Sequence, residues 1–250
     1  MRLRVLGSSG GYPAPGNPSS GFFLEHDGAK LWMDAGNGTF AELQKVADFT
    51  KIDALVLSHG HADHCADVFP LHVALRYGFV SGVRLPLYCP PGVRETLASL
   101  LGEGGSEELG RAFDFHTIDV GDPAEIAGLR LSFLRMDHPI HTLGIRIETS
   151  GGTLTYSADT GPKADLAGFA QGSDLLLCEA CYQEAAQGAP VHLTARRAGE
   201  TVRRAGVREL ALTHVWPTLD PGVSVEEARG GAGDLPVRWA KSGEVFEIGA

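Results

Sequence analysis

Side chains that can bind metal ions are concentrated in one short segment of the sequence, Ser58 to Asp67. Four of them fall within six consecutive positions: His59, His61, Asp63 and His64. Neutral imidazole and carboxylate suit zinc, manganese or iron, and the carboxylate offsets part of the charge of a dication. A hydrogen-bonded loop with histidines close by chance is the alternative, but this density of ligand types favours a metal site.

The spacing within the segment indicates two ions rather than one. His59 and His61 are two residues apart, so in an extended loop both side chains can point towards one ion. Asp63 and His64 are adjacent, so they must diverge or serve a second ion. Two ions about 3.5 to 4 Å apart can hold a hydroxide and stabilise the leaving oxygen of a substrate. Cys65 is either a further ligand or, as we expect, a small apolar filler in the first turn of a helix.

The elements around this segment must place it at the end of a strand. Residues 52–57 form an apolar, β-branched run that is typical of a buried strand. Apolar positions between 66 and 79 recur as they do on a helix with one buried face. The cluster therefore lies in a strand-to-helix loop, where a rigid scaffold can aim side chains at one point.

Three further candidate ligands follow runs that also predict strands: His138, Asp159 and His214. This repeated context predicts one composite site. We expect three histidines on one ion, namely His59, His61 and His138. We expect the other ion to be held by Asp63, His64 and His214, with Asp159 bridging the two.

With these residues in hand, the chain resembles the metallo-β-lactamase-fold hydrolases, in the branch of ribonuclease Z and related phosphodiesterases. The similarity spans nearly the whole chain. It is carried by VLGSSGG at 5–11, LWMDAGNGT at 31–39, the His-x-His-x-Asp-His motif at 59–64, SADTGP at 157–162 and THVWP at 213–217. The resemblance implies an α+β fold, a four-layer αββα sandwich with the metal ligands along one edge of two facing sheets.

The resemblance also implies roles for individual residues. Asp34 would orient a metal-bound histidine through its free ring nitrogen. The ligand histidine of the family precedes a Pro-x-x-Thr-type turn, which favours His138 over the neighbouring His141. His141 would then line the pocket or cap the next strand.

Two more segments match this branch. VHLTARRAGE at 191–200 is similar to a segment whose histidine donates a proton to the leaving oxygen, so His192 is the candidate general acid. A helix-capping or surface histidine is the alternative. DLLLCEACY at 174–182 resembles a ribonuclease Z segment, but Cys178 stands where that enzyme has histidine. We count Asp63 with His192 as catalytic, in addition to its place among the ligands.

Two differences from ribonuclease Z narrow the range of expected substrates. The 20 residues between His138 and Asp159 suffice for two strands and a turn, but not for the long tRNA-gripping arm of many such enzymes. A formal net charge of −10 provides no general attraction for a phosphate backbone. The chain thus resembles the armless group that includes bacterial cyclic-nucleotide phosphodiesterases.

We therefore expect a dinuclear phosphodiesterase that acts on small phosphodiesters such as cyclic nucleotides. Its cofactors would be two divalent metal ions, zinc in first place and manganese or iron as alternatives. The alternative functions are tRNA 3′-processing of the ribonuclease Z kind, thioester or lactone hydrolysis on the same fold, and metal binding without catalysis.

Length and composition predict the remaining organisation. We expect 250 residues with 43% hydrophobic content to form one domain over 1–250. With no apolar run of 18 residues and no signal-peptide pattern, we expect a soluble cytoplasmic protein. A homodimer is a possible oligomeric state. Four cysteines show no disulfide framework, and Cys178 and Cys181 are expected to pack in the core, with a redox role as the alternative.

Residues 102–110 are predicted to be a solvated loop, and helices are predicted at 38–47, 64–78, 91–101, 162–170 and 194–205.

Overall fold

Two seven-stranded sheets form the centre of the molecule. The structure is a computed structural model that describes residues 1–78, 80, 82–186 and 191–249. The strands of the first sheet, in chain order, are β1 (Arg2–Gly7), β2 (Gly21–His26), β3 (Ala29–Met33), β4 (Ala54–Val56), β5 (Leu85–Cys89), β6 (Phe113–Thr117) and β14 (Val245–Glu247). Their order across the sheet is β14-β1-β2-β3-β4-β5-β6.

The second sheet is built from the middle of the chain. Its strands are β7 (Ala124–Ile126), β8 (Leu129–Arg135), β9 (Leu143–Thr149), β10 (Gly152–Tyr156), β11 (Leu175–Glu179), β12 (Glu209–Thr213) and β13 (Val237–Trp239). Each strand pairs with the strands that precede and follow it in this series, so the order across the sheet is β13-β12-β11-β10-β9-β8-β7. β9 and β10 pair antiparallel, so the interval between His138 and Asp159 holds the two strands that were predicted there.

Helices flank the sheets. They are α1 (Thr39–Gln44), α2 (Ala62–Cys65), α3 (Val68–Tyr77), α4 (Val93–Leu100), α5 (Gly105–Ala112), α6 (Leu166–Phe169), α7 (Ala195–Ala205) and α8 (Pro221–Ala232). Two short 3-10 helices lie at Phe49–Lys51 and Glu184–Ala186. None of the helices in the described ranges combines the length and apolar character that a bilayer crossing requires.

Alternation along the strands explains the layers. In β2, Phe22 and Leu24 enter a core cluster shared by both sheets, whereas Phe23 packs in a second cluster with the helices. In β11, Leu177 faces the shared core and Leu176 packs against residues of α7. Because successive side chains of a strand point to opposite faces, strands apolar at every position are buried on both sides. The predicted four-layer αββα sandwich is confirmed.

The prediction of a solvated loop at 102–110 is wrong, because α5 begins at Gly105. Leu109 and Ala112 are fully buried in the cluster that α5 shares with the first sheet. The Gly- and Glu-rich composition of this stretch is typical of a loop, yet a Cβ at Gly105 would lie 2.2 Å from the carbonyl oxygen of Ala98 in α4. The glycine therefore permits close helix packing rather than marking an open turn.

Other helices are shorter than predicted or were not predicted. The helix predicted at 64–78 is divided into α2 and α3, and the one predicted at 162–170 is limited to α6. α8 was not predicted, although its start carries a recognisable signal. The side chain of Asp220 accepts a hydrogen bond from Gly222 N, and Pro221 occupies the first turn.

Candidate metal centre

The candidate ligands converge because they follow strands that end at the same edge of the sandwich. The His59–His64 segment follows β4 of the first sheet, while His138, Asp159 and His214 follow β8, β10 and β12 of the second. β10, β11 and β12 run parallel, so their carboxyl ends meet at one edge. All seven predicted ligands are brought together there in two groups that share Asp159.

The first group consists of His59, His61, His138 and Asp159, whose ligand atoms all lie within 4.8 Å of one another. His61 Nδ1 lies 3.2 Å from His59 Nε2 and 3.1 Å from His138 Nε2. A tetrahedral ion with bonds of about 2.0 to 2.1 Å holds its nitrogen ligands about 3.3 Å apart. The ring nitrogens are therefore spaced as they would be around one ion.

The second group consists of Asp63, His64, Asp159 and His214. His214 Nε2 lies 3.0 Å from Asp63 Oδ2, and His64 Nε2 lies 3.2 Å from Asp159 Oδ1. The other oxygen of Asp159, Oδ2, lies 3.6 Å from His59 Nε2 in the first group. One carboxylate oxygen thus faces each group, as a bridging ligand requires.

Orphaned polar atoms show that these residues fit an ion. His64 Nε2 and Asp159 Oδ1 are buried, and they lie 3.2 Å apart without the geometry of a hydrogen bond, so neither has a hydrogen-bond partner among the described residues. A buried polar atom without a partner is costly and rare in a native fold. A cation at this position would coordinate both atoms, and the donor set of imidazole and carboxylate suits zinc, manganese or iron.

The three histidines of the first group are kept neutral, which is the protonation state that a metal ligand needs. Burial lowers the pKa of His59 and His61, and it lowers the pKa of His138 to about 4. Neutral imidazole is the form that coordinates metal, so these rings require no deprotonation before binding.

The second group is more strongly charged. Burial alone would raise the pKa of Asp63 and of Asp159, but the neighbouring rings of His64 and His214 hold both below their ordinary value. Burial alone would lower the pKa of His64, but Asp159, Asp63 and Asp34 raise it. A dication placed among these carboxylates would replace the ring protons as the balancing positive charge.

Asp34 contacts the second group through the ring nitrogen of His64 that is not directed to the ligands, as expected. His64 Nδ1 lies 2.7 Å from Asp34 Oδ2, and the Tyr156 hydroxyl donates to the same oxygen at 2.8 Å. Ser58 N and Ser58 Oγ also donate to this carboxylate. Because Asp34 is fully buried, these bonds fix the His64 ring so that Nε2 is directed to the ligand group.

Strained backbone occurs at the same edge. Asp34, Ala158 and His214 have φ values of 54°, 50° and 56°, in the left-handed region that side chains other than glycine rarely adopt. Each follows the end of β3, β10 or β12 and turns the chain sharply at the site. Strain of this kind persists where the surroundings impose it, and it is concentrated at functional sites.

His192 lies beside both groups. Its ring centroid is 5.3 Å from that of His138 and 5.3 Å from that of His214. Its Nδ1 is 3.0 Å from Oε1 of Glu179, which is fully buried. Burial lowers the pKa of His192, but the hydrogen bond to Glu179 and the charge of that carboxylate outweigh it and raise the pKa to about 8. The alternative of a surface histidine does not fit this position.

Sequence reasoning assigned no role to Glu179. Its two oxygens accept from the backbone N–H groups of Thr160 and Leu193 as well as from His192. The carboxylate therefore joins the loop that carries Asp159 to the loop that carries His192. One signal was available, because Glu179 is the single acidic residue at the end of an otherwise apolar strand, LLLCE.

The remaining histidine and cysteine candidates lie outside the two groups. His141 borders a cavity next to His61, with its Nε2 3.0 Å from Asp119 Oδ1. Cys65 is buried in the core between the first sheet and its helices, and Cys178 is buried on the helix side of the second sheet. Cys181 is also buried, but its sulfur lies within 4.8 Å of ligand atoms of His192 and His214.

This fold and these ligand groups define a metallo-hydrolase of the metallo-β-lactamase fold. A family model described as the beta-lactamase superfamily domain matches residues 30–215, which is more than half of the chain. The chain belongs to the beta-lactamase superfamily.

Similar proteins cover almost the whole chain. An uncharacterized protein of Mycobacterium leprae is 37% identical over 100% of this chain and 89% of its own length. The probable metallo-hydrolase YhfI of Bacillus subtilis is 28% identical over 99% of this chain and all of its own, and its crystal structure superposes with a TM-score of 0.88 over 98% of both chains. Ribonuclease Z of Methanopyrus kandleri is 27% identical over 91% of each chain.

Proposed function

We propose that this chain is a dinuclear metal-dependent phosphodiesterase that acts on small phosphodiesters, cyclic nucleotides among them. The observation that carries the proposal is the position of His192, which the buried Glu179 holds next to both ligand groups. An acid there can protonate an alkoxide that leaves a phosphorus bound between the two groups. We propose zinc as the metal and the cytoplasm as the location.

The chain itself supplies ligands, positioning and a proton. His59, His61 and His138 would hold one ion, Asp63, His64 and His214 the other, and Asp159 would bridge them. Two divalent ions bound there supply Lewis-acid stabilisation and lower the pKa of a bound water. Asp34 fixes the His64 ring, and Glu179 fixes the His192 ring through Nδ1. That bond leaves Nε2 of His192 as the nitrogen that delivers the proton to the leaving oxygen.

Two observations support a small substrate, namely the net charge of the chain and the short interval after His138. The formal net charge of −10 disfavours a long polyanion, because nucleic-acid affinity depends on cationic contacts to many phosphates. A single phosphodiester is attracted instead by the local charge of two dications. β9, β10 and their turn occupy the interval where a tRNA-gripping arm would have to be inserted.

A substrate panel tests the proposal. Metal-loaded protein is assayed with bis-p-nitrophenyl phosphate, cyclic AMP, a pre-tRNA and an acyl thioester, at equal protein and metal concentrations. The proposal requires hydrolysis of the small diesters and loss of it in Asp63→Ala. Cleavage of the pre-tRNA alone would support the ribonuclease Z alternative, and hydrolysis of the thioester alone would refute the phosphodiesterase assignment.

A further inference from the structure

A small cavity lies beside the first ligand group. It has a volume of about 300 Å³ and reaches from His61 to the start of α4 and to the loop after His138. We call it the Ile140 cavity, and the side chains that define it are those of Pro91, Val93, Thr96, Ile140 and His141. It adjoins the candidate metal centre because His61 lines it as well.

The lining of the Ile140 cavity is largely apolar. No Asp, Glu, Lys or Arg side chain occurs among the described residues that line it. Pro91, Val93 and Ile140 present apolar carbon, and Gly60 and Gly92 leave space because they have no side chain. Such a surface binds an uncharged, apolar or aromatic group, since a charged group would lose its hydration without gaining a partner.

Three polar side chains line the cavity: His61, His141 and Thr96, whose hydroxyl donates to Gly92 O. His61 belongs to the first ligand group. His141 Nε2 lies 3.0 Å from Asp119 Oδ1, so the carboxylate holds the ring in place. With Nε2–H donating to Asp119, Nδ1 is the acceptor nitrogen of that ring. An apolar pocket with a few fixed polar groups is the usual form of a small-molecule site.

We propose that the Ile140 cavity binds an uncharged ring, a nucleobase or an aryl group, that the phosphate of the substrate carries directly or through a ribose. The inference rests on the proposed phosphodiesterase function. His61 both belongs to the first ligand group and lines the cavity, so a phosphate bound at that group would lie next to the cavity. A volume of about 300 Å³ is at the lower end for ligand pockets and accommodates one ring system rather than an oligonucleotide.

Ile140 is the residue to change. Its side chain is only partly buried, and its carbonyl accepts hydrogen bonds from Arg135 Nη1 and Thr142 Oγ1 that a side-chain substitution retains. Ile140→Ala enlarges the cavity, and Ile140→Trp fills it. Leu100→Ala is the matched control, because Leu100 is an aliphatic residue of α4 that is 69% exposed and does not line the cavity.

The test compares the binding of phenyl phosphate and methyl phosphate to the metal-loaded protein by calorimetry. We expect the wild-type protein and Leu100→Ala to bind phenyl phosphate about tenfold more tightly, from the burial of one ring. Ile140→Trp should abolish this preference and Ile140→Ala should reduce it, while affinity for methyl phosphate stays the same in all four proteins.

The outcomes separate this inference from the function on which it rests. Equal affinities of the wild-type protein for the two phosphates, or a preference that survives Ile140→Trp, would overturn the assignment of the cavity and leave the phosphodiesterase proposal intact. Binding of neither phosphate would count against the phosphodiesterase proposal itself, and the assignment of the cavity would fall with it.

Discussion

Replacement of His192 by Ala tests whether this residue donates a proton or only packs beside the ligands. A nitrophenolate leaves as a stable anion near neutral pH, whereas the alkoxide released from a cyclic nucleotide must be protonated as it leaves. A positioned general acid contributes about 10²- to 10⁴-fold. We therefore expect His192→Ala to lower kcat for cyclic AMP by about 10²-fold or more, and for bis-p-nitrophenyl phosphate by less than about tenfold.

The structure also sets the expected cost in stability. His192 gives Glu179 one of its hydrogen bonds, and the backbone donors from Thr160 and Leu193 remain after the substitution. Loss of one bond to a charged, buried acceptor costs about 1.5 to 3 kcal/mol. This is a fraction of the about 5 to 15 kcal/mol that stabilises a typical domain, so the variant should fold and retain its metal ions.

The assay is steady-state kinetics of both substrates with metal analysis of the same preparations. Glu179→Gln is the companion variant, because it keeps the shape of the side chain and removes the charge that holds the His192 ring. We expect it to follow His192→Ala in direction, with a smaller loss. Equal losses for the two substrates in His192→Ala would contradict the role of a general acid, and a parallel loss of metal would make His192 a ligand.

Three further predictions concern the framework of the site. Tyr156→Phe removes the hydroxyl that donates at 2.8 Å to Asp34, and it should lower the free energy of unfolding by about 1.5 to 3 kcal/mol in denaturant titrations; an unchanged midpoint would show that this bond contributes nothing. Gly199→Ala should lower the free energy of unfolding by about 1 to 3 kcal/mol, because the added Cβ would lie 2.0 Å from the carbonyl oxygen of Ala228 in α8. Gly110→Ala in α5 is the control, since its Cβ meets no atom within 4 Å, and it should raise the free energy of unfolding by about 0.5 to 1 kcal/mol. The reverse order of stability would contradict the α7–α8 packing. Removal of metal by a chelator should lower Tm, because ions bound to the native state alone stabilise it by mass action, and the same Tm in the presence and absence of metal would count against a centre assembled only in the folded chain.

The ligand set could be predicted from the sequence because two local signals coincide. Histidine and aspartate are the residue types that bind zinc-like ions, and each candidate follows an apolar run that predicts a strand. His138, Asp159 and His214 are distant from the His59–His64 segment along the chain, yet parallel strands bring their carboxyl ends to one edge. The sandwich was predictable for the same reason, since buried strands and helices alternate along the chain.

The features that could not be predicted depend on packing between distant segments. Glu179 gains its role from donors at Thr160, His192 and Leu193, and no local pattern reveals that these groups meet. The Gly- and Glu-rich composition of residues 102–110 predicts a loop, and composition does not reveal that Gly105 permits the close approach of α5 to Ala98. Likewise, the Ile140 cavity is formed by three segments that are distant along the chain, at 60–61, 91–96 and 140–141, and no local pattern reveals that they meet.

The most direct test of the two-ion centre is the metal content per chain of the wild-type protein, Asp159→Ala and His141→Ala, measured on protein dialysed against trace metal. Asp159 faces both ligand groups, whereas His141 belongs to neither. We predict two ions per chain in the wild-type protein and in His141→Ala, and at most one in Asp159→Ala. One ion in the wild-type protein, or two retained in Asp159→Ala, would contradict a dinuclear centre bridged by this carboxylate.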